Sequence, residues 1–274
     1  MKVFVSVDIE GVAGVTGPSQ AYPGAADYDH ARRLMTEEAS AAVRGAFNAG
    51  AASVVVADSH AWMRNIVPDL LDPRARLVAG SPRIFSMVQG LDSTFDALVL
   101  IGFHAAAGTV GVMAHTYSGQ VFSRIEICGR SVGEVELFAG CAAEVGVPLA
   151  LVSGDDALAR ETLQLFPDTR AVIVKECLGG WAANSLSPVE ARTRIERAVA
   201  EALQPGALVA PRPLETGPFT VAVEMSKQVY ADACALLPNI TSGSATGISF
   251  DSQDYGTAFR MVQALALIAM GVQQ

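Results

Sequence analysis

Asp8 and Glu10 stand two residues apart, His60 closes the run Ala57-Asp58-Ser59-His60, and His104 directly follows the apolar run Ala97–Phe103. Imidazole and carboxylate without a companion cysteine suit Zn²⁺, Mn²⁺ or Co²⁺ in a catalytic site better than a structural zinc. The chain has only four histidines, so two of them at strand ends carry weight. Taken singly, each residue has a plainer reading. An acid after a strand is commonly a turn former or a helix cap, and a lone histidine there is commonly a hydrogen-bonded loop residue. Their conjunction reads as a catalytic metal site.

That reading requires particular elements. Lys2–Val7 has the pattern of a first strand, whose end releases Asp8 and Glu10 to one side. Ser53–Ala57 is a second strand, and Ala97–Phe103 a third, apolar throughout as a buried parallel strand is. Parallel strands bring their carboxyl ends to one sheet edge, where open α/β sheets bind ligands. Between them, Asp29–Asn48 reads as a helix stopped by Gly50, and Ser81-Pro82 as the start of a helix running to about Gly90. Val121–Ile127 reads as a strand, turning at Gly129-Arg130 into a helix near Gly133–Val145. Leu149–Ser153 and Ala171–Val174 are further strands. Ser187-Pro188-Val189-Glu190 has the form of a capping box and opens a helix through about Leu203. Gln204–Pro218, with four prolines and two glycines, is a linker. Beyond it come a strand (Phe219–Met225), a short helix, a strand near Gly247–Asp251 and a terminal helix. The expected fold is α/β, a mainly parallel sheet flanked by helices, with a smaller C-terminal α+β subdomain. Residues 1–204 form the metal-binding catalytic domain, and residues 205–274 form the subdomain, involved in oligomerisation.

Composition limits the partners. Only 17% of the 274 residues are charged and 51% are hydrophobic, against about 25% charged in ordinary soluble domains. Too little charge to cover one monomer predicts a homo-oligomer. A net charge of −9 argues against nucleic acid and anionic membrane as partners. The longest strongly apolar stretch, Ala264–Met270, falls far short of the roughly 20 residues that span a bilayer. Asp8 and Glu10 interrupt the N-terminal apolar run before a signal core forms, so the expected location is cytoplasmic. Cys128, Cys141, Cys177 and Cys234 are scattered without a Cys-x-x-Cys pair and read as small buried hydrophobes in a reducing compartment.

Several blocks carry a resemblance. Ser6-Val7-Asp8-Ile9-Glu10-Gly11-Val12-Ala13-Gly14, Met35-Thr36-Glu37-Glu38-Ala39, Ala57-Asp58-Ser59-His60, Gly102-Phe103-His104-Ala105, Gly111-Val112-Met113-Ala114-His115, Val132-Gly133-Glu134 and Gly154-Asp155-Asp156 run in order along the chain to about Pro188. Together they resemble the D-aminopeptidase (DppA-type) family, peptidase family M55. The resemblance implies an aminopeptidase with two Zn²⁺ per subunit (Mn²⁺ or Co²⁺ as alternatives), acting on short peptides within a ring-like homodecamer. Carried over by position, the metal ligands are Asp8 as the bridging group, Glu10, His60, His104 and Glu134, and His115 is the catalytic base or nucleophile. By spacing alone Glu126 and Glu136 rival Glu134, and the Val-Gly-Glu context selects Glu134. The chain departs from the family at Thr116-Tyr117 and at Leu178-Gly179-Gly180-Trp181, which bears on substrate preference.

Other residues have weaker claims. His30 reads as a solvated helix residue. Asp58 either orients a neighbouring ligand or caps. Asp155-Asp156 are read first as a turn or cap. Lys175 contacts substrate or pairs with an acid, and spacing does not choose. Gly11, Gly14 and Gly17 lack a phosphate-loop pattern and read as a flexible lid or rim. Two alternatives use the same ligands: a two-metal phosphoesterase, and a non-catalytic, metal-stabilised ligand-binding module.

Overall fold

The computed structural model describes residues 1–272. Its main sheet has seven strands in the order β3-β2-β1-β4-β7-β8-β9. They are β1 (Lys2–Val7), β2 (Ser53–Asp58), β3 (Ala75–Val78), β4 (Ala97–Ile101), β7 (Leu149–Asp155), β8 (Arg170–Gly179) and β9 (Ala182–Ser185). All neighbours pair in parallel except the edge pair β8–β9. A second, antiparallel sheet runs β11-β12-β10-β5-β6, built from β5 (Phe122–Ile127), β6 (Arg130–Ser131), β10 (Phe219–Met225), β11 (Thr241–Ser242) and β12 (Gly247–Ser252).

The helices are α1 (Pro18–Ala21), α2 (Tyr28–Asn48), α3 (Glu134–Glu144), α4 (Asp156–Leu165), α5 (Pro188–Ala202), α6 (Gln228–Cys234) and α7 (Tyr255–Gly271). Two apolar cores lie on opposite faces of the main sheet. Val3, Val5 and Val7 pack with residues of α2 and α5. Phe4, between them in the strand, joins residues of α3, α7 and the second sheet. Period-2 alternation thus feeds two apolar layers, so the central strand carries no polar face. The α2–α5 contact requires Gly45, where a Cβ would sit 2.4 Å from the carbonyl oxygen of Glu196.

Two local expectations change. The helix expected from Ser81-Pro82 is instead an irregular segment with one 3₁₀ turn, Ser86–Val88. Ser86 takes a left-handed backbone at φ 44°, which ends the helical path, and Gln263 of α7 donates to the Arg83 carbonyl from outside. Helix α4 is additional, and its N-terminus is capped by Asp155, which accepts from Leu158 N at 2.8 Å. The cap reading of Asp155 holds. Among the described residues no helix is long and apolar enough to cross a membrane.

Candidate metal centre

Strand order reverses direction at β1, which lies between β2 and β4. Asp8 follows β1 and His104 follows β4, so both sit at the crevice where such sheets take their ligands. His60 follows β2 on the other flank. Glu134 arrives differently, as the first residue of α3, after the β5–β6 hairpin has left the main sheet.

The structure brings all five expected ligands together. His60 Nδ1 lies 3.2 Å from Asp8 Oδ1 and 2.9 Å from Glu10 Oε2. His104 Nε2 lies 3.6 Å from Asp8 Oδ2 and 3.3 Å from Glu134 Oε1. All five residues are buried, none more than 7% exposed. Two overlapping sets have ligand atoms within 4.8 Å of one another: Asp8, Glu10 and His104, and His104, His115 and Glu134. His115 borders the cavity, with Nε2 3.7 Å from Glu134 Oε1.

Both imidazoles have their outer nitrogen occupied. His60 Nε2 lies 2.7 Å from the Ala21 carbonyl oxygen, and His104 Nδ1 lies 3.1 Å from that of Ala105. A carbonyl only accepts, so these nitrogens carry the protons. In the neutral ring that a metal needs, the inner nitrogens, His60 Nδ1 and His104 Nε2, are lone pairs directed at carboxylates; with no metal between them, a proton takes that place. Lone pair against anion is repulsive unless a cation stands between. His104 Nε2, Glu10 Oε2 and Glu134 Oε2 are buried without a hydrogen-bond partner, a cost of about 1–3 kcal/mol each if left so. The donor set therefore fits divalent cations, with each ring held from behind as metal-ligating histidines are.

Titration behaviour reflects the same crowding. Burial, and then Glu10 beside it, raises Asp8 well above the usual carboxylate range. Burial also pushes Glu10 and Glu134 up, but the neighbouring histidines outweigh it and hold both low. Burial opposes a charge on His104, yet Glu134 and Asp8 override it and lift the ring to about 10. His115 moves the other way, lowered by burial and by the charge of His104. The shifts of Glu10, Glu134 and His104 keep opposite charges facing one another in the cluster, while His115 is kept neutral.

The remaining candidates fall outside the cluster. Asp58 is a buried hub that accepts from Asn65 N at 2.5 Å, Asn65 Nδ2 at 2.7 Å and Ile66 N at 2.7 Å. Asn65 Nδ2 also lies 2.6 Å from the His60 carbonyl oxygen, so Asp58 shapes the loop that presents His60. Glu136 accepts from Gly133 N, and Glu126 faces Arg124 on β5. His30 is exposed. Lys175 turns inward to backbone carbonyls rather than to the cavity. Gly11 is no lid. A Cβ there would lie 1.8 Å from the Phe103 carbonyl oxygen, and its N–H donates to Gly102 O at 2.7 Å, so the segment forms a packed floor.

Above the acids opens a cavity of about 740 Å³ whose wall includes Tyr22, Trp62, Arg83, Trp181, Leu267 and Met270. That size and apolar character suit a short peptide. Of this wall the sequence singled out only Trp181, as bearing on substrate preference; Tyr22 and Trp62, aromatics that the fold leaves exposed, were missed. It also missed the backbone of Tyr117, whose N–H donates to Glu134 Oε1 at 2.8 Å.

The profile of the M55 peptidases, described as D-aminopeptidase, matches residues 1–264. The D-aminopeptidase of Bacillus subtilis (strain 168) is 35% identical over 272 residues, covering 98% of each chain. A solved structure described as the Zn-dependent D-aminopeptidase DppA from Bacillus subtilis, a self-compartmentalizing protease, superposes with a TM-score of 0.95. It is 33% identical, with all of both chains covered.

Proposed function

The chain belongs to the D-aminopeptidase family, peptidase family M55, and on that footing we propose that it is a zinc-dependent aminopeptidase releasing the N-terminal residue of short peptides. Asp8, Glu10, His60, His104 and Glu134 would hold two zinc ions, and His115 is assigned to proton transfer. The relative's self-compartmentalizing assembly and the low charge of this chain together support a homo-oligomer, a decamer in the fullest form of the proposal. The cytoplasm is its proposed compartment.

The single observation that carries the reading is the pair of anchored imidazoles: His60 and His104 each spend their outer N–H on a carbonyl and turn the other ring nitrogen toward three buried acids. Bound zinc supplies an acidified water and polarisation of the scissile carbonyl. The protein's own residues do the rest. With two zinc ions balancing Asp8, Glu10 and Glu134, the site would take the substrate's free α-amine in its neutral form, and so would select the N-terminal residue. His115 Nδ1 lies 2.9 Å from the Met113 carbonyl oxygen, which fixes the proton there and leaves Nε2 basic. That nitrogen takes a proton from the attacking water and returns it to the departing amine as the C–N bond breaks. Tyr117 N–H holds Glu134 in place throughout.

The phosphoesterase alternative lacks its cation. Arg83 is the one Lys or Arg among the described residues lining the cavity, and its guanidinium donates to the carbonyls of Val78 and Asp58. The test is zinc-reconstituted protein assayed on paired D- and L-aminoacyl peptides beside p-nitrophenyl phosphate. Peptide cleavage that stops on chelation and returns with zinc is expected; phosphate release without peptide cleavage overturns the assignment.

A further inference from the structure

Lys175 is among the largest fully buried side chains of the protein, 2% exposed, and it lies on β8 with no role in the reaction so far. An ammonium has three N–H groups and no acceptor. Here all three are spent on one short segment: Nζ lies 2.5 Å from Glu10 O, 3.1 Å from Val12 O and 2.5 Å from Val15 O. From the other side Glu38 of α2, also buried, accepts from Ala13 N at 2.9 Å. Ser185 Oγ of β9 accepts from Gly14 N at 2.9 Å. The N–H groups of Ala13 and Gly14 thus run to separate elements, those of Val12 and Val15 close on Ile9 O and Val12 O within the bend, and Gly11 is pressed onto Gly102 and Phe103 beside His104.

A buried lysine is expensive unless it is paired and fully hydrogen-bonded, and a backbone turn could be closed without one. We propose that Lys175 is a positioning residue. It gathers the carbonyls of residues 10, 12 and 15 so that the Glu10 carboxylate is aimed at the metal cluster before any ion arrives, with Glu38 offsetting its charge. The proposal rests on the assignment of Glu10 as a ligand. Pre-organisation of this kind lowers the ordering cost of ion binding, and outer partners of metal ligands typically control affinity by 10- to 100-fold.

Zinc affinity and stoichiometry, measured by competitive titration against a chelating dye, test it directly. Lys175→Met keeps the apolar stem and removes all three donors. The double variant Lys175→Met/Glu38→Gln also removes the buried carboxylate left uncompensated, while the Gln oxygen still accepts from Ala13 N–H, so it is the form expected to fold. In each folded variant one of the two zinc ions should bind about 10- to 100-fold more weakly, and the other as in the parent. Wild-type affinity for both ions in a folded Lys175 variant overturns the proposal. Glu10→Gln serves as the control: if it leaves both ions untouched, the ligand assignment itself fails and the proposal with it.

The wild type offers a second measurement independent of any variant. If Lys175 pre-forms the bend, the amides of residues 11–15 exchange slowly with deuterium in zinc-stripped protein, as they do in loaded protein. Protection that appears only when zinc is added means the ion orders the segment, and Lys175 does not.

Discussion

His104 and His115 stack face to face, their ring centroids 4.0 Å apart and their planes 13° from parallel. Each has its Nδ1 near a carbonyl, Ala105 O for one and Met113 O for the other. Both Nε2 atoms consequently point at the same Glu134 oxygen, at 3.3 and 3.7 Å. The difference between them is access. His104 is 2% exposed and lies beneath the cluster, whereas His115 lines the cavity that receives substrate.

This division gives the first prediction. Replacing His115 with Ala should lower kcat by about 100- to 10,000-fold, the range for loss of general acid–base assistance, with both zinc ions retained. Replacing His104 with Ala should cost metal itself. Elemental analysis beside turnover separates the roles: a His115 variant that holds one zinc per subunit makes His115 a ligand, and the base would have to be sought elsewhere.

Part of this arrangement was legible in the chain. Asp8, His60 and His104 could be placed because each follows a strand whose apolar run is visible, and parallel strands share an edge. Glu134 and His115 could not be placed that way. One sits at a helix start reached only after the chain has crossed into the second sheet, the other in a loop whose path depends on Asp155 accepting from Val112 N and on Thr116 accepting from Ala107 N. Family motifs located both. Strand β3 escaped notice because it is four residues long and only partly buried; helix α4 was missed although its cap Asp155 and the residues of its buried face, Ala157, Leu158 and Thr162, stood in the sequence. Ser81-Pro82 misled because Ser86 takes a left-handed backbone at φ 44°, which a continuing helix does not accommodate. The inward course of Lys175 is a tertiary fact with no local signature.

Metal removal should weaken the whole fold, since three buried carboxylates lose the charge that balances them. With free zinc at about 1,000 times its dissociation constant, each ion contributes about 4 kcal/mol to stability. The zinc-stripped protein should therefore melt well below the loaded form by scanning calorimetry, and zinc should restore the difference. Equal melting temperatures, with zinc shown by analysis to be bound, would sink the idea that the cluster is built around ions.

Asp58 is predicted to act through the His60 loop rather than on zinc. Its three accepted hydrogen bonds are buried, and hydrogen bonds to charged groups contribute about 1.5–3 kcal/mol each. Asp58→Ala should lower stability by about 3–5 kcal/mol in urea titration and weaken zinc binding less than His60→Ala does. Asp58→Asn keeps one acceptor and should fall between. A stability loss under about 1 kcal/mol would leave the hub without energetic meaning.

Glu38 supplies the pH dependence. Burial raises its carboxyl to about 7 against partial relief from Ala13 N–H and from Lys175, the charged group that faces it from β8. Unfolded, the same carboxyl ionises near about 4.3. Between those values the folded state holds a proton that the unfolded state has lost, so this group's contribution to stability falls as pH rises through the window. A displacement of this size corresponds to at most about 4 kcal/mol. Glu38→Gln removes the ionisation. The stability of the variant relative to the parent should climb from pH 4.5 to pH 7.5 and level off above it, read from urea midpoints at fixed zinc. A difference that stays flat across that range would mean that Glu38 is already ionised in the fold at low pH, paired with Lys175 as a stable ion pair.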